Sequence, residues 1–210
     1  MPRTRYFKNS GKSRPKFQWI GAPLTCSPSR PSHLLFYNSF NFGELTAGVG
    51  DYILIRNYDS MNQDMLDYEV AKLDKLYEDF DNKSDPFRAV ITWFCRPNSL
   101  PQNMRGLHGM EDEGVSPLNN KHEVLGEARE FAKDISAETI HFKCLVIPVG
   151  IHEDPAKYSS SFKKGPYPCY VHRFNMAKKG RKFTVEPVLE DSQQLFQSLI
   201  TVDSLKYIRI

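Results

Sequence analysis

Three short apolar runs separated by polar turns constrain this chain of 210 residues more than anything else in it. They are Val49-Gly50-Asp51-Tyr52-Ile53-Leu54-Ile55, Val70-Ala71-Lys72-Leu73 and Ile91-Thr92-Trp93-Phe94. Each is rich in β-branched and aromatic residues and too short for a buried helix, so they predict consecutive strands. Gly48 and Gly50 open the first, and Asp81-Asn82-Lys83-Ser84-Asp85-Pro86 supplies a turn before the third. The third extends over 87–96, with Ala89, Ile91 and Trp93 on one face and Val90 and Phe94 on the other.

The rest of the chain follows the same short-element style. Phe17, Trp19 and Ile20 alternate briefly, and the aromatics of 33–42 predict an edge strand. A strand is expected over 138–149. Residues 170–176 and 182–188 are expected to pair as a hairpin across Ala177-Lys178-Lys179-Gly180-Arg181. Segments 25–33, 98–120 and 150–167 are loops by composition. Helical spacing occurs in three places. Leu73, Leu76, Tyr77 and Phe80 carry it over 65–80. Val124, Leu125, Ala128, Phe131 and Ala132 carry it from residue 120 or 121 onward. The last is a C-terminal helix capped at Asp191 or Ser192, with Leu195, Phe196, Leu199 and Ile200 inward.

Charge is unevenly placed. Residues 1–43 hold seven basic residues and no acid, leaving 21 basic and 25 acidic residues, net −4, for the remainder. A basic arm on an acidic body fits contact with nucleic acid or another polyanion, or a solvated tail. No apolar run approaches the roughly eighteen residues of a membrane helix, and no apolar segment follows the basic N-terminus as in a secretory signal. Cys26, Cys95, Cys144 and Cys169 form no Cys-x-x-Cys pair, which argues against zinc and for a reducing, intracellular compartment. His33, His108, His122, His141, His152 and His172 never recur at ligand spacing. There is no phosphate loop, nucleophile elbow or dinucleotide fingerprint. These absences favour a binding module over an enzyme, with no cofactor or metal. The remaining route to catalysis is a site assembled from distant residues.

The order of the strands resembles the bromo-adjacent homology domain. The glycine-aspartate entry at Gly50-Asp51, the Val70-Ala71-Lys72-Leu73 unit and the Trp93-Phe94 pair carry the likeness. The version most similar stands at the N-terminus of the largest origin recognition complex subunit. There a Trp-x-Gly segment precedes the domain, as in Trp19-Ile20-Gly21. Ala137-Glu138-Thr139-Ile140 with Cys144-Leu145-Val146-Ile147-Pro148, then Tyr170-Val171-His172-Arg173 and Arg181-Lys182-Phe183, match its later portions. The resemblance implies a mainly β fold: a distorted barrel or sheet core with short helical insertions and a C-terminal helix. It also implies that 68–77 is a strand, against its helical spacing. The organisation expected is a basic arm over 1–16, the domain over 17–200 and a tail over 201–210. The chain is then a nuclear chromatin-binding module acting in replication initiation, either an excised domain, an incomplete gene product or a stand-alone relative, with other subunits of that complex as partners if it belongs to a longer ATPase-containing chain.

Within this resemblance, Trp93 matches the tryptophan of a methyl-lysine cage, although its residue type alone favours the core. The tyrosine of that cage falls on Glu69, with Tyr68 one residue earlier. The cage acid falls near Ser99, and a further aromatic near Leu125, Gly126 or Glu127. Histone-binding candidates are therefore Tyr68, Glu69, Trp93, Ser99 and Glu127. A one-residue offset reverses the face of a strand, so Tyr68 reaches the pocket only through a bulge. Glu69 and Glu127 suit an unmodified basic tail, or else a solvated surface. DNA-binding candidates are Arg3, Arg5, Lys8, Lys12, Arg14 and Lys16 in the arm, and Lys178, Lys179, Arg181 and Lys182 at the hairpin. The partners expected are a histone tail or nucleosome, and DNA. The alternatives are an interaction or silencing module without methyl-lysine reading, or a domain whose main activity is DNA binding.

Overall fold

The computed structural model describes residues 15–24, 33–56, 68–100, 115, 117–118, 121–155, 158, 167–179 and 182–188. The fold is mainly β. A small antiparallel sheet has the order β1-β3-β4, from Phe17–Ile20, Ser39–Phe42 and Leu45–Gly48. A ten-stranded sheet runs β11-β10-β5-β6-β7-β8-β12-β13. Its strands are Cys169–His172, Ile140–Pro148, Tyr52–Arg56, Tyr68–Asp79, Phe87–Cys95, Leu125–Gly126, Phe174–Lys179 and Lys182–Pro187. β2, Leu34–Tyr37, joins it beside β6, and β9, Asp134–Ser136, beside β7. The strand path is open rather than a closed barrel. Two 3₁₀ turns, Pro97–Ser99 and Ala137–Thr139, supply short helical insertions. The expected C-terminal helix at 191–200 lies outside the described residues, as does most of the 98–120 loop.

The glycine-aspartate entry has a mechanical explanation. Gly50 adopts φ +94°, a region that β-carbon sterics close to most residues. There its N–H donates to the Leu73 carbonyl at 2.8 Å, joining the turn to β6. Asp51 accepts from the Gly48 N–H at 2.8 Å through Oδ2, which also meets Lys143 Nζ at 2.8 Å. One carboxylate thus closes the turn and ties it to β10.

β6 is a strand throughout, as the family resemblance implies and helical periodicity does not. The cause of the false signal is a bulge. Leu73 stands opposite Ile91 but Leu76 opposite Ala89, with the register shifting between Leu73 and Lys75. An extra residue in one strand resets which face its side chains take. Leu73 and Leu76 therefore reach the same core, three positions apart, as they would on a helix.

The helix expected from residue 121 is not formed. Val124 and Leu125 enter different cores, as neighbours on extended chain do. Gly126 is held between Phe94 of β7 and Asn175 of β12, and a Cβ on it would collide with Asn175 Oδ1. The hairpin also differs from expectation. Tyr170 and His172 belong to β11, which pairs parallel with β10, and the antiparallel partner of β13 is β12.

Three main apolar clusters hold the layers. One lies between the small sheet and the centre of the large one, with Phe40, Ile53, Leu73, Leu76 and Ile91 almost fully buried. Phe17 stacks on Phe40 at 5.0 Å and on Phe87 at 4.2 Å. Trp19 stacks on Tyr37 at 4.4 Å and donates its indole N–H to Glu78 at 3.1 Å. The Trp-x-Gly segment therefore clamps the small sheet onto the large one. A second cluster joins Cys95, Leu100, Leu125, Phe174 and Met176. The third, on the opposite face, gathers Leu54, Val70, Phe94, Val124, Cys144, Val146 and Tyr170.

Candidate functional site

β6 and β7 are antiparallel with Ala71 opposite Trp93 and Val70 opposite Phe94, and Ile55 of β5 stands opposite Glu69. Alternation puts Glu69, Ala71 and Trp93 on one face and Tyr68, Val70 and Phe94 on the other. Packing agrees: Trp93 lies against the Ile55–Ala71 cluster and Tyr68 against the Val70–Phe94 cluster. The register Arg56–Tyr68, Ile55–Glu69, Leu54–Val70 is unbroken, so no bulge turns Tyr68 toward Trp93. Its ring meets His141 and Phe142 instead, at 5.9 and 5.7 Å. Tyr68 is thereby separated from the other histone-binding candidates, because a one-residue offset reverses the face.

Glu69 and Trp93 are diagonal neighbours across two strands, a placement that keeps long side chains within reach. Both are half-buried. The Trp93 indole N–H donates to the Ala132 carbonyl at 2.7 Å, which fixes the ring's orientation. Among the described residues the Glu69 carboxylate makes no direct hydrogen bond or salt bridge. Burial pushes its carboxyl pKa up, Arg96 and Arg129 oppose this, and Glu127 adds to it.

Glu127 follows β8, and its N–H donates to the Trp93 carbonyl at 3.1 Å. Its side chain is only 3% exposed, and Arg129 neutralises it. Arg129 Nε donates to Oε1 at 2.8 Å and Nη2 to Oε2 at 2.6 Å, a two-pronged pair of the kind guanidinium geometry favours. The Glu127 hydrogen bond is the main cause of the raised Arg129 pKa. Arg129 Nη1 also donates to the Ser99 carbonyl at 3.3 Å, so Ser99 joins the site through its backbone. The guanidinium carbon lies 5.2 Å from the centroid of the Phe131 ring, which is 51% exposed.

The structure therefore brings Glu69, Trp93, Ser99 and Glu127 together. Sequence reasoning missed Arg129, Phe131 and the Ala132 carbonyl. The helical reading of this segment hid them, since residues two apart do not face each other on a helix. In extended chain, Glu127 and Arg129 share a side.

Of the DNA-binding candidates, Arg3, Arg5, Lys8, Lys12, Arg14 and Arg181 lie outside the described residues. Lys16 is exposed. Lys178 is 49% exposed, with Nζ 3.4 Å from Glu130 Oε1. Lys179 stands opposite Lys182 in the β12–β13 register. Among the described residues, no group of three or more His, Cys, Asp or Glu is placed to hold a metal ion.

No family model matches the chain. It is 26% identical over 180 residues to origin recognition complex subunit 1 of Drosophila melanogaster, covering 81% of this chain and 19% of that protein. The chain therefore spans about a fifth of the length of that relative. Among solved structures, the yeast Rsc2 BAH domain aligns with a TM-score of 0.47 and 19% identity, covering 72% of this chain and 53% of that one. The similarity to the Drosophila protein agrees with the resemblance read from the sequence.

Proposed function

We propose that this chain is a non-catalytic, nuclear chromatin-docking module that places a replication-initiation complex on nucleosomes. The observation that carries the reading is Glu69: a half-buried carboxylate, with no direct salt bridge among the described residues, beside the half-buried Trp93. A carboxylate kept partly dry gains by accepting an N–H from an incoming cation, and an indole face attracts the same cation. Lysine and arginine side chains of histone tails have that chemistry. The basic arm, Lys16 included, and the hairpin around Lys178 add contacts to DNA phosphates, a term that weakens steeply with salt. The similarity to the Drosophila protein supports the place in replication and the other complex subunits as partners.

A second reading is favoured by the position of Tyr68. With that ring on the other face, Trp93 is the one aromatic of the expected cage beside Glu69, and a single ring discriminates poorly between methylation states. The module then binds tails with little regard to methylation.

The experiment is titration of the N-terminal tail peptides of the four core histones, unmodified and methylated, and of mononucleosomes, against wild type and Trp93→Ala. Loss of one ring weakens tail binding by about 2- to 30-fold. Equal affinity for methylated and unmodified tails selects the second reading. Unchanged binding by Trp93→Ala with a large fall in melting temperature assigns the indole to the core and rejects the site.

A further inference from the structure

The strongest cation already on this surface belongs to the chain itself. Arg129 forks both oxygens of the buried Glu127, caps the Ser99 carbonyl and lies over the Phe131 ring. A carboxylate, a carbonyl acceptor and an aromatic face are what a bound lysine or arginine of a tail would contact. We propose that Arg129 is a built-in stand-in for the tail cation and the residue that sets the affinity and selectivity of the Trp93 site; this rests on the docking reading above.

Two consequences follow from the charges. With Glu127 neutralised, the carboxylate beside Trp93 left to an incoming cation is Glu69, and the charges of Arg96 and Arg129 both act on it. The site is therefore tuned to weak, charge-driven binding. Displacing the guanidinium would uncover a second carboxylate, Glu127, which hangs from the Trp93 carbonyl by its own N–H. That backbone contact survives side-chain replacement, so the charge pattern is alterable without moving the loop.

The test uses the full chain and the core-histone tail peptide that binds wild type most tightly. Arg129→Gln removes the opposing charge and should tighten binding about tenfold, with a steeper salt dependence. The same peptide should raise the melting temperature of Arg129→Gln more than that of wild type, because it replaces a lost partner of Glu127. Glu127→Gln frees Arg129 to face Glu69 and should weaken binding, while Glu127→Gln/Arg129→Gln falls between the single variants. Should Arg129→Gln fail to fold, the order of Glu127→Gln below the double variant carries the test. Folded Arg129→Gln that binds equally or more weakly, or Glu127→Gln that binds no worse than the double variant, overturns the role of Arg129 and leaves the docking reading intact. If no tail peptide binds wild type or any variant, both fall.

Discussion

The most demanding prediction concerns a charge pair that no water reaches. Glu123 and Arg173 are both 0% exposed, with Arg173 Nε 2.8 Å from Oε1 and Nη2 3.0 Å from Oε2. Arg173 also donates to the carbonyls of Ile151 at 3.1 Å, Pro117 at 3.2 Å and Glu153 at 3.4 Å. One guanidinium thus holds two loop segments, at Pro117 and at Ile151 to Glu153, against β11 and β12. Burial of this kind makes the pair costly to break and of modest net value when intact, since desolvation offsets most of the attraction. Glu123→Gln leaves a buried cation without its counter-charge and should cost about 3–5 kcal/mol. Arg173→Met strands a buried carboxylate and three carbonyls, and should cost at least as much. The double variant removes both charges, so its loss should fall short of the sum of the singles by about 1–3 kcal/mol. Urea denaturation followed by tryptophan fluorescence measures all four proteins. Single variants that each lose under about 1 kcal/mol, the worth of an exposed pair, would refute the argument. So would strict additivity.

Glu69 gives a pH prediction of definite sign. Its folded pKa is raised above the ordinary 4.5, chiefly by burial, so its contribution is fully present below that value and is lost as pH rises through the folded pKa. Glu69→Gln mimics the protonated form; it should melt higher than wild type near neutral pH and converge with it at about pH 4, and a lower melting temperature at neutral pH would contradict this. The thiols of Cys95, Cys144 and Cys169 are each pushed up to about 12 by burial. Native protein at about pH 8 should therefore alkylate at these positions far more slowly than unfolded protein, and rapid native labelling of Cys144, located by mass spectrometry, would count against the packing of its cluster.

The strand frame was legible because its signals are local. Gly50 and Asp51 specify a turn, Tyr52–Arg56 a buried strand, and Ala89, Ile91 and Trp93 a strand face, and each occupies the expected position. What failed was period. Among the described residues two segments show i, i+3 and i+4 apolar spacing, and neither is a helix. In β6 the spacing comes from the bulge between Leu73 and Lys75. Around β8 it comes from a chain crossing between two cores: Val124 faces one and Leu125 the other, while Phe131 is 51% exposed. A single extra residue, or a strand shared between cores, is settled by partners far along the chain, and a window of neighbours contains no record of them.

The same sensitivity to phase decides what the site can recognise. Tyr68 and Glu69 are adjacent in sequence and lie on opposite faces of one sheet, so only one of them can share a face with Trp93. Here the acid holds that place, and the tyrosine joins His141 and Phe142 on the other side. An aromatic in place of Glu69 would enclose a methylated cation through its ring faces, largely independent of salt. A carboxylate attracts any cation, favours those that retain N–H donors, and weakens as salt screens it. On the docking reading, the distinction between a methylation-sensitive module and a charge-sensitive one rests on one position on β6, on whose carboxylate the charges of Arg96 and Arg129 act.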